Sequence, residues 1–126
     1  MRILVVDDDK ESRDLLCEVL SASEYTVDVA ESVAAARRKL GSSHDYRIVI
    51  ADLRMPDGTG IELLREIGKQ DSKPDVILIS SFLSGLERRL ARELGAGALL
   101  EKPLRFGDLL RTVADLAAPK SVRMAS

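Results

Sequence analysis

Four short stretches carry side chains that could do chemistry together. Asp7-Asp8-Asp9 follows an apolar run, Asp52 follows another, Ser80-Ser81 ends a third, and Lys102-Pro103 follows a fourth through Glu101. If Asp7, Asp8 and Asp52 converge, each pair of carboxylates 4 Å apart repels by about 4 kcal/mol at an effective dielectric near 20. Protonation, a neighbouring ammonium or a bound cation must offset that. Hard oxygen ligands on a rigid frame suit Mg²⁺, which takes one or two carboxylates together with a phosphate and keeps its waters. Lys102 is placed to neutralise such a cluster and to contact a phosphate oxygen as a point charge. Asp52 stands directly after a buried run, where a carboxylate is costly unless it is paired. Metal coordination or phosphoryl acceptance explains it there. Ser80 offers a hydroxyl to the same rim, although Ser81 has the same chemistry and the strand register decides between them. Asp9 is read as the cap of the first helix.

These residues gain meaning from the elements between them. Ile3-Leu4-Val5-Val6, Ile48-Val49-Ile50-Ala51 and Val76-Ile77-Leu78-Ile79 are continuous and rich in Val and Ile. Such runs suit strands buried on both faces of a parallel sheet. Thr26-Val27-Asp28-Val29 alternates polar and apolar, which suits an edge strand. Ala98-Leu99-Leu100 is the fifth run. Five segments of helical period lie after the strands. They are marked by Leu15, Leu16, Val19 and Leu20; by Val33, Ala36 and Leu40; by Leu63, Leu64 and Ile67; by Leu83, Leu86, Leu90 and Leu94; and by Phe106, Leu109, Leu110, Val113 and Leu116. Gly41, Gly68 and Gly95 are expected to stop helices two, three and four, and Ser32 to cap helix two. The βα unit repeated five times predicts a doubly wound α/β fold with a parallel sheet and helices on both faces. Ligands bind such sheets outside the carboxyl ends of the strands, which is where the polar residues fall.

Composition narrows the classes. The chain has 126 residues, 45% of them apolar and 32% charged, the mix of one globular domain. Lys and Arg number 19 against 21 Asp and Glu, a net charge of -2, which argues against direct nucleic-acid binding by bulk positive charge. One cysteine, Cys17, excludes a disulfide framework and a cysteine zinc site; it reads as a packing residue. No run approaches the ~18 apolar residues of a membrane span. The start is too acidic after four apolar residues to be a signal peptide. A cytoplasmic location is the expectation. There is no G-x-x-x-x-G-K-[ST] for a P-loop. Gly58-Thr59-Gly60 reads as a turn into helix three, and His44 as a surface residue on a loop.

In order and at the right strand ends, Ile3 to Asp9, Ile48 to Gly60, Val76 to Ser81 and Glu101-Lys102-Pro103 resemble the receiver domain of bacterial two-component response regulators. The resemblance covers residues 1–117; residues 118–126 read as a tail, a linker or an expression remnant. It implies a flavodoxin-like sheet of strand order 2-1-3-4-5. It makes Asp52 the phosphoacceptor, Asp7 and Asp8 with Asp52 and the Arg54 backbone carbonyl the ligands of Mg²⁺, Ser80 the switch hydroxyl and Lys102 the phosphate contact. The Lys102–Pro103 bond is typically cis in that family. The implied partners are a sensor histidine kinase or phosphotransfer protein and a downstream output domain or protein. A homodimer through helix four, strand five and helix five is also implied. Such a domain is not an enzyme beyond its own phosphotransfer and autodephosphorylation. Leu99 departs from the family's usual aromatic residue three positions before the lysine, and Ser81 from the usual alanine. A degenerate, phosphate-independent binding module is therefore the alternative. Arg54 and Phe82 stand where the family tunes phosphate lifetime and are expected to restrict water there. An aspartyl phosphohydrolase needs a second Asp at position 54, which is Arg here, and a substrate cap for which the chain has no insertion. Arg88, Arg89 and Arg92 on helix four read chiefly as a solvated face with local ion pairs.

Overall fold

The computed structural model describes residues 1–42, 45–71 and 73–118. His44 and the segment 119–126 lie outside the described residues. Five strands form one parallel sheet: β1 (Arg2–Val6), β2 (Thr26–Ala30), β3 (Tyr46–Asp52), β4 (Asp75–Ser80) and β5 (Ala98–Glu101), in the order β2-β1-β3-β4-β5. The alternating segment Thr26–Ala30 is indeed an edge. Five helices follow the strands: α1 (Lys10–Ala22), α2 (Val33–Ser42), α3 (Gly60–Ile67), α4 (Gly85–Glu93) and α5 (Phe106–Ala117). A two-residue antiparallel ladder, Arg54–Met55 with Gly58–Thr59, tightens the turn before α3.

Strand periodicity divides the core. Successive side chains point to opposite faces, so Ile3, Val5, Ile48, Ile50, Ile77 and Ile79 pack with Leu16 and Leu20 of α1 and Leu109, Val113 and Leu116 of α5. On the other face, Leu4, Val6, Val49, Ala51, Val76 and Leu78 join the buried residues of α2, α3 and α4. Continuous apolar runs were needed because both faces are covered.

The helix caps follow the local sequence. Asp9 accepts from the Ser12 amide at 3.3 Å, Ser32 from the Ala35 amide at 3.0 Å and Thr59 from the Glu62 amide at 3.2 Å. Gly95, at φ +88°, supplies the left-handed residue just past α4. Two helical expectations fail. Gly41 does not stop α2, which runs on to Ser42; no neighbour lies within 4 Å of a Cβ there, so nothing in the packing demands a break. Leu15 and Leu86 belong to the apolar stripes but stand exposed; the residues these helices bury are Leu16 and Leu20 in α1 and Ala91 in α4. No described helix is long and apolar enough to cross a membrane.

Candidate phosphoryl-acceptor site

Backbone hydrogen bonds carry the sheet beyond the strand ends and fix the chain where the polar residues begin. The Asp7 amide donates to Ala30 O at 3.1 Å, the Leu53 amide to Ile79 O at 2.8 Å and the Lys102 amide to Ser80 O at 2.9 Å. The side chains therefore project from one rigid rim.

Asp7 is buried, and its Oδ1 accepts from the Asp9 amide at 2.9 Å. From α1, Arg13 Nη1 donates to the Asp7 carbonyl at 2.9 Å. Asp8 is exposed, and Asp52 is half-buried. Carboxylate oxygens of Asp7, Asp8 and Asp52 all lie within 4.8 Å of one another. At that separation each pair of charges repels by about 3.5 kcal/mol at an effective dielectric of 20. Among the described residues, Lys102 answers them directly: its Nζ donates to Asp52 Oδ2 at 2.9 Å. Burial works against the charged form of Lys102. The hydrogen bond that Lys102 donates to Asp52 and the charges of Asp52, Asp7 and Asp8 outweigh burial and hold the ammonium above the ordinary lysine value. The Lys102–Pro103 peptide is cis.

Ser80 is buried, whereas Ser81 is exposed; in the β4–β5 register Ser80 pairs with Glu101. Arg54 sits beside the cluster, its amide 3.4 Å from Asp52 Oδ1. Its side chain turns away to Ser80, Phe82 and Glu87. Phe82 itself is 67% exposed. Leu99 is half-buried against the α2–α3–α4 face of the core. On α4, Arg89 approaches Glu93 at 4.0 Å, a local pair of the expected kind, whereas Arg88 reaches out of the helix to Glu101 of β5 at 2.7 Å.

Among the contacts that the sequence did not foretell, two bear on the turn after Asp52. Asp57 accepts from the Val33 and Ala34 amides, each at 3.0 Å, so the turn after Asp52 clasps the start of α2. These amides, Ala34 before Val33, hold the Asp57 carboxyl below the ordinary aspartate value. The Arg54–Glu87 pair is the other; Ser84-x-x-Glu87 is a capping-box signature visible in the sequence, but nothing in it points to Arg54.

Three carboxylates gathered within 4.8 Å with a lysine on one of them are chemically able to take a hard cation and a phosphoryl group. The chain matches the response regulator receiver domain over residues 3–114. It belongs to that family. It is 35% identical over 112 residues to a CpxR homolog, a transcriptional regulatory protein of Haemophilus influenzae, covering 89% of this chain and 48% of that one. The receiver thus spans about half the length of the curated relatives it matches. Among solved structures it resembles the non-phosphorylated HemR receiver domain of Leptospira biflexa, with a TM-score of 0.85, 29% identity and 94% of each chain covered. It also resembles the beryllofluoride-activated NtrC4 receiver dimer, with a TM-score of 0.84, 29% identity, and 91% of this chain and 94% of that one covered. Over residues 3–114 the chain is a receiver domain, the phosphorylation-dependent switch module of two-component response regulators, and receivers of this family bind Mg²⁺ in their acidic pocket.

Proposed function

We propose that Asp52 accepts a phosphoryl group from a phosphohistidine of a sensor histidine kinase or phosphotransfer protein. A carboxylate oxygen of Asp52 attacks phosphorus; the P–N bond breaks, its electron pair goes to the imidazole, and Asp52 becomes an acyl phosphate. The observation that carries this reading is the meeting of Lys102 with Asp52 at 2.9 Å inside a three-carboxylate cluster.

The donor set fits Mg²⁺: three carboxylates, one buried, converge from two adjacent strands. Asp7, Asp8, Asp52 and the Arg54 carbonyl would hold the ion, which supplies positive charge to the transferring oxygens. Lys102 adds a second positive contact, and phosphoryl transfer needs mainly such positioning and charge stabilisation. Ser80 donates its hydroxyl to the new phosphoryl group, and the loop after β4 follows. That movement reaches the α4–β5–α5 surface, which regulates an output domain or protein and forms a homodimer. Arg54 and Phe82 restrict water at the acyl phosphate. The domain catalyses only its own phosphotransfer and autodephosphorylation. It acts in the cytoplasm without direct nucleic-acid or membrane contact. Leu99 and Ser81 are what a phosphate-independent module would rest on; the carboxylate cluster and its Lys102 contact favour the phosphorylated switch.

Incubation with acetyl phosphate and Mg²⁺ tests the reading. Intact-mass analysis is expected to show one added phosphoryl group on the unaltered protein and none on Asp52→Asn. Equal incorporation in both overturns Asp52 as the acceptor.

A further inference from the structure

Two residues after Asp52, the Arg54 side chain crosses to the loop after β4. Its Nη1 donates to the Ser80 hydroxyl at 3.1 Å and to the Phe82 carbonyl at 2.9 Å. Its Nη2 lies 2.8 and 2.9 Å from the two carboxylate oxygens of Glu87. Glu87 is the third residue of α4. The same carboxylate accepts from the Ser84 amide at 3.1 Å, and the Ser84 hydroxyl accepts from the Glu87 amide at 3.1 Å. One guanidinium therefore ties Ser80 to the capping box that starts α4.

Ser80 has no capacity to spare in this arrangement. A hydroxyl has one proton and two lone pairs. Ser80 donates to the Phe82 carbonyl at 2.7 Å and accepts from Arg54 and from the Phe82 amide, the latter at 3.2 Å. It must surrender the donor bond before it can donate to a phosphoryl oxygen.

We infer that Glu87 and a phosphoryl group on Asp52 compete for the Arg54 guanidinium, so that Arg54 latches Ser80 and the first turn of α4 in the resting arrangement and releases both on phosphorylation. The inference rests on Asp52 being the acceptor. A guanidinium fork matches a carboxylate or a phosphate equally well in shape, but the phosphoryl group brings about -1.5 to -2 charges against the single charge of Glu87. The resting pair is partly open to water, with 53% of the Arg54 side chain and 29% of the Glu87 side chain exposed. Ion pairs of that kind are weak enough for such an exchange to reverse when the phosphoryl group leaves.

Glu87→Gln separates the latch from the cap. Glutamine at this helix position accepts the same backbone bond but offers Arg54 no charge. Isothermal calorimetry with beryllofluoride and Mg²⁺ is expected to show about 2- to 5-fold tighter binding to E87Q than to the unaltered protein, the size set by the loss of one partly exposed ion pair from the resting state. In an Arg54→Ala background the same Glu87→Gln change is expected to leave affinity unmoved. A residue that only supported the helix would lower the melting temperature without tightening the mimic. Unchanged or weaker binding by E87Q, or equal tightening without Arg54, overturns the latch. If the unaltered protein still takes phosphate from acetyl phosphate in that case, the Asp52 reading stands and only the latch falls. If the unaltered protein neither binds beryllofluoride nor incorporates phosphate, both fall.

Discussion

Lys102 and Asp52 lie 50 positions apart in the chain and meet at 2.9 Å. Each is held from behind by the sheet, Lys102 through its amide on Ser80 O and Asp52 as the last residue of β3. The contact is thus built into the parallel register rather than into a mobile loop. Lys102 is the cation that answers charge developing on a transferring phosphoryl group. Lys102→Ala is expected to slow phosphoryl incorporation from acetyl phosphate on the order of 100-fold, the usual loss when one preorganised donor to developing charge is removed. An intact-mass time course at fixed Mg²⁺ measures it. An unchanged rate would show that Lys102 serves only to balance the acids.

The acid cluster leads to a prediction about metal removal. Lys102 offsets the mutual repulsion of Asp7, Asp8 and Asp52 only in part, so a further cation is expected to stabilise the folded state. Mg²⁺ at about ten times its Kd is expected to add about 1.4 kcal/mol to unfolding stability by mass action. EDTA should abolish the increment, and so should Asp8→Asn. Urea denaturation with and without Mg²⁺ reads it directly. A Mg²⁺ increment of the same size in Asp8→Asn would remove that residue from the ligand set.

Gly60 is the first residue of α3 and packs against the backbone that carries the acceptor. A Cβ there would meet the Asp52 carbonyl at 2.8 Å and Leu78 Cδ2 at 2.8 Å, with Leu53 Cα at 3.4 Å. Leu78 is fully buried, and a carbonyl held in the sheet cannot retreat cheaply. Gly60→Ala is expected to destabilise the fold by about 1–3 kcal/mol through overpacking and to disturb the acceptor in the process. Urea denaturation gives the first effect. Gly85→Ala, where a Cβ meets nothing within 4 Å, is the matched control and is expected to cost little.

Much of this architecture was legible because its signals are local or topological. Val and Ile runs announce strands covered on both faces, and alternation in Thr26–Ala30 announces the edge. Once the strands are parallel, Asp7, Asp8, Asp52, Ser80 and Lys102 must share one rim. What escaped depends on rotamers and on what covers a stripe. The Arg54–Glu87 pair spans 33 positions and the Asp57 clasp on Val33 spans 24; a charged side chain around a tight turn has no periodicity to betray its partner. Leu15 and Leu86 carry the period of a buried face, but period marks a stripe and not the width of the surface that will cover it.

The far end of the sheet holds a network whose pH dependence can be given a sign. Tyr46 donates to Asp28 Oδ2 at 2.6 Å, and Arg2 Nη1 donates to the same oxygen at 3.1 Å. Burial, and after it the Asp28 carboxylate, pushes the Tyr46 phenol up to about 12. The Tyr46 hydroxyl, working against partial burial and helped by Arg2, holds the Asp28 carboxyl below the ordinary aspartate value. The raised phenol contributes stability that is whole below its unfolded pKa of about 10 and is lost as pH rises through 12. The lowered carboxyl contributes stability that is present above its unfolded pKa of about 3.9 and is lost as pH falls through its folded value. Tyr46→Phe is therefore expected to cost about 1–3 kcal/mol, the scale of a hydrogen bond to a charged group. The deficit should stay level from about pH 5 to about pH 9 and narrow on the acid side as Asp28 takes a proton. Urea denaturation of the two proteins across that range measures it, and ultraviolet titration of the phenols should lose a transition near pH 12 in Tyr46→Phe. A deficit that widened on acidification would mean that Tyr46 prefers the protonated partner, and the assignment of the charge to Asp28 would fail.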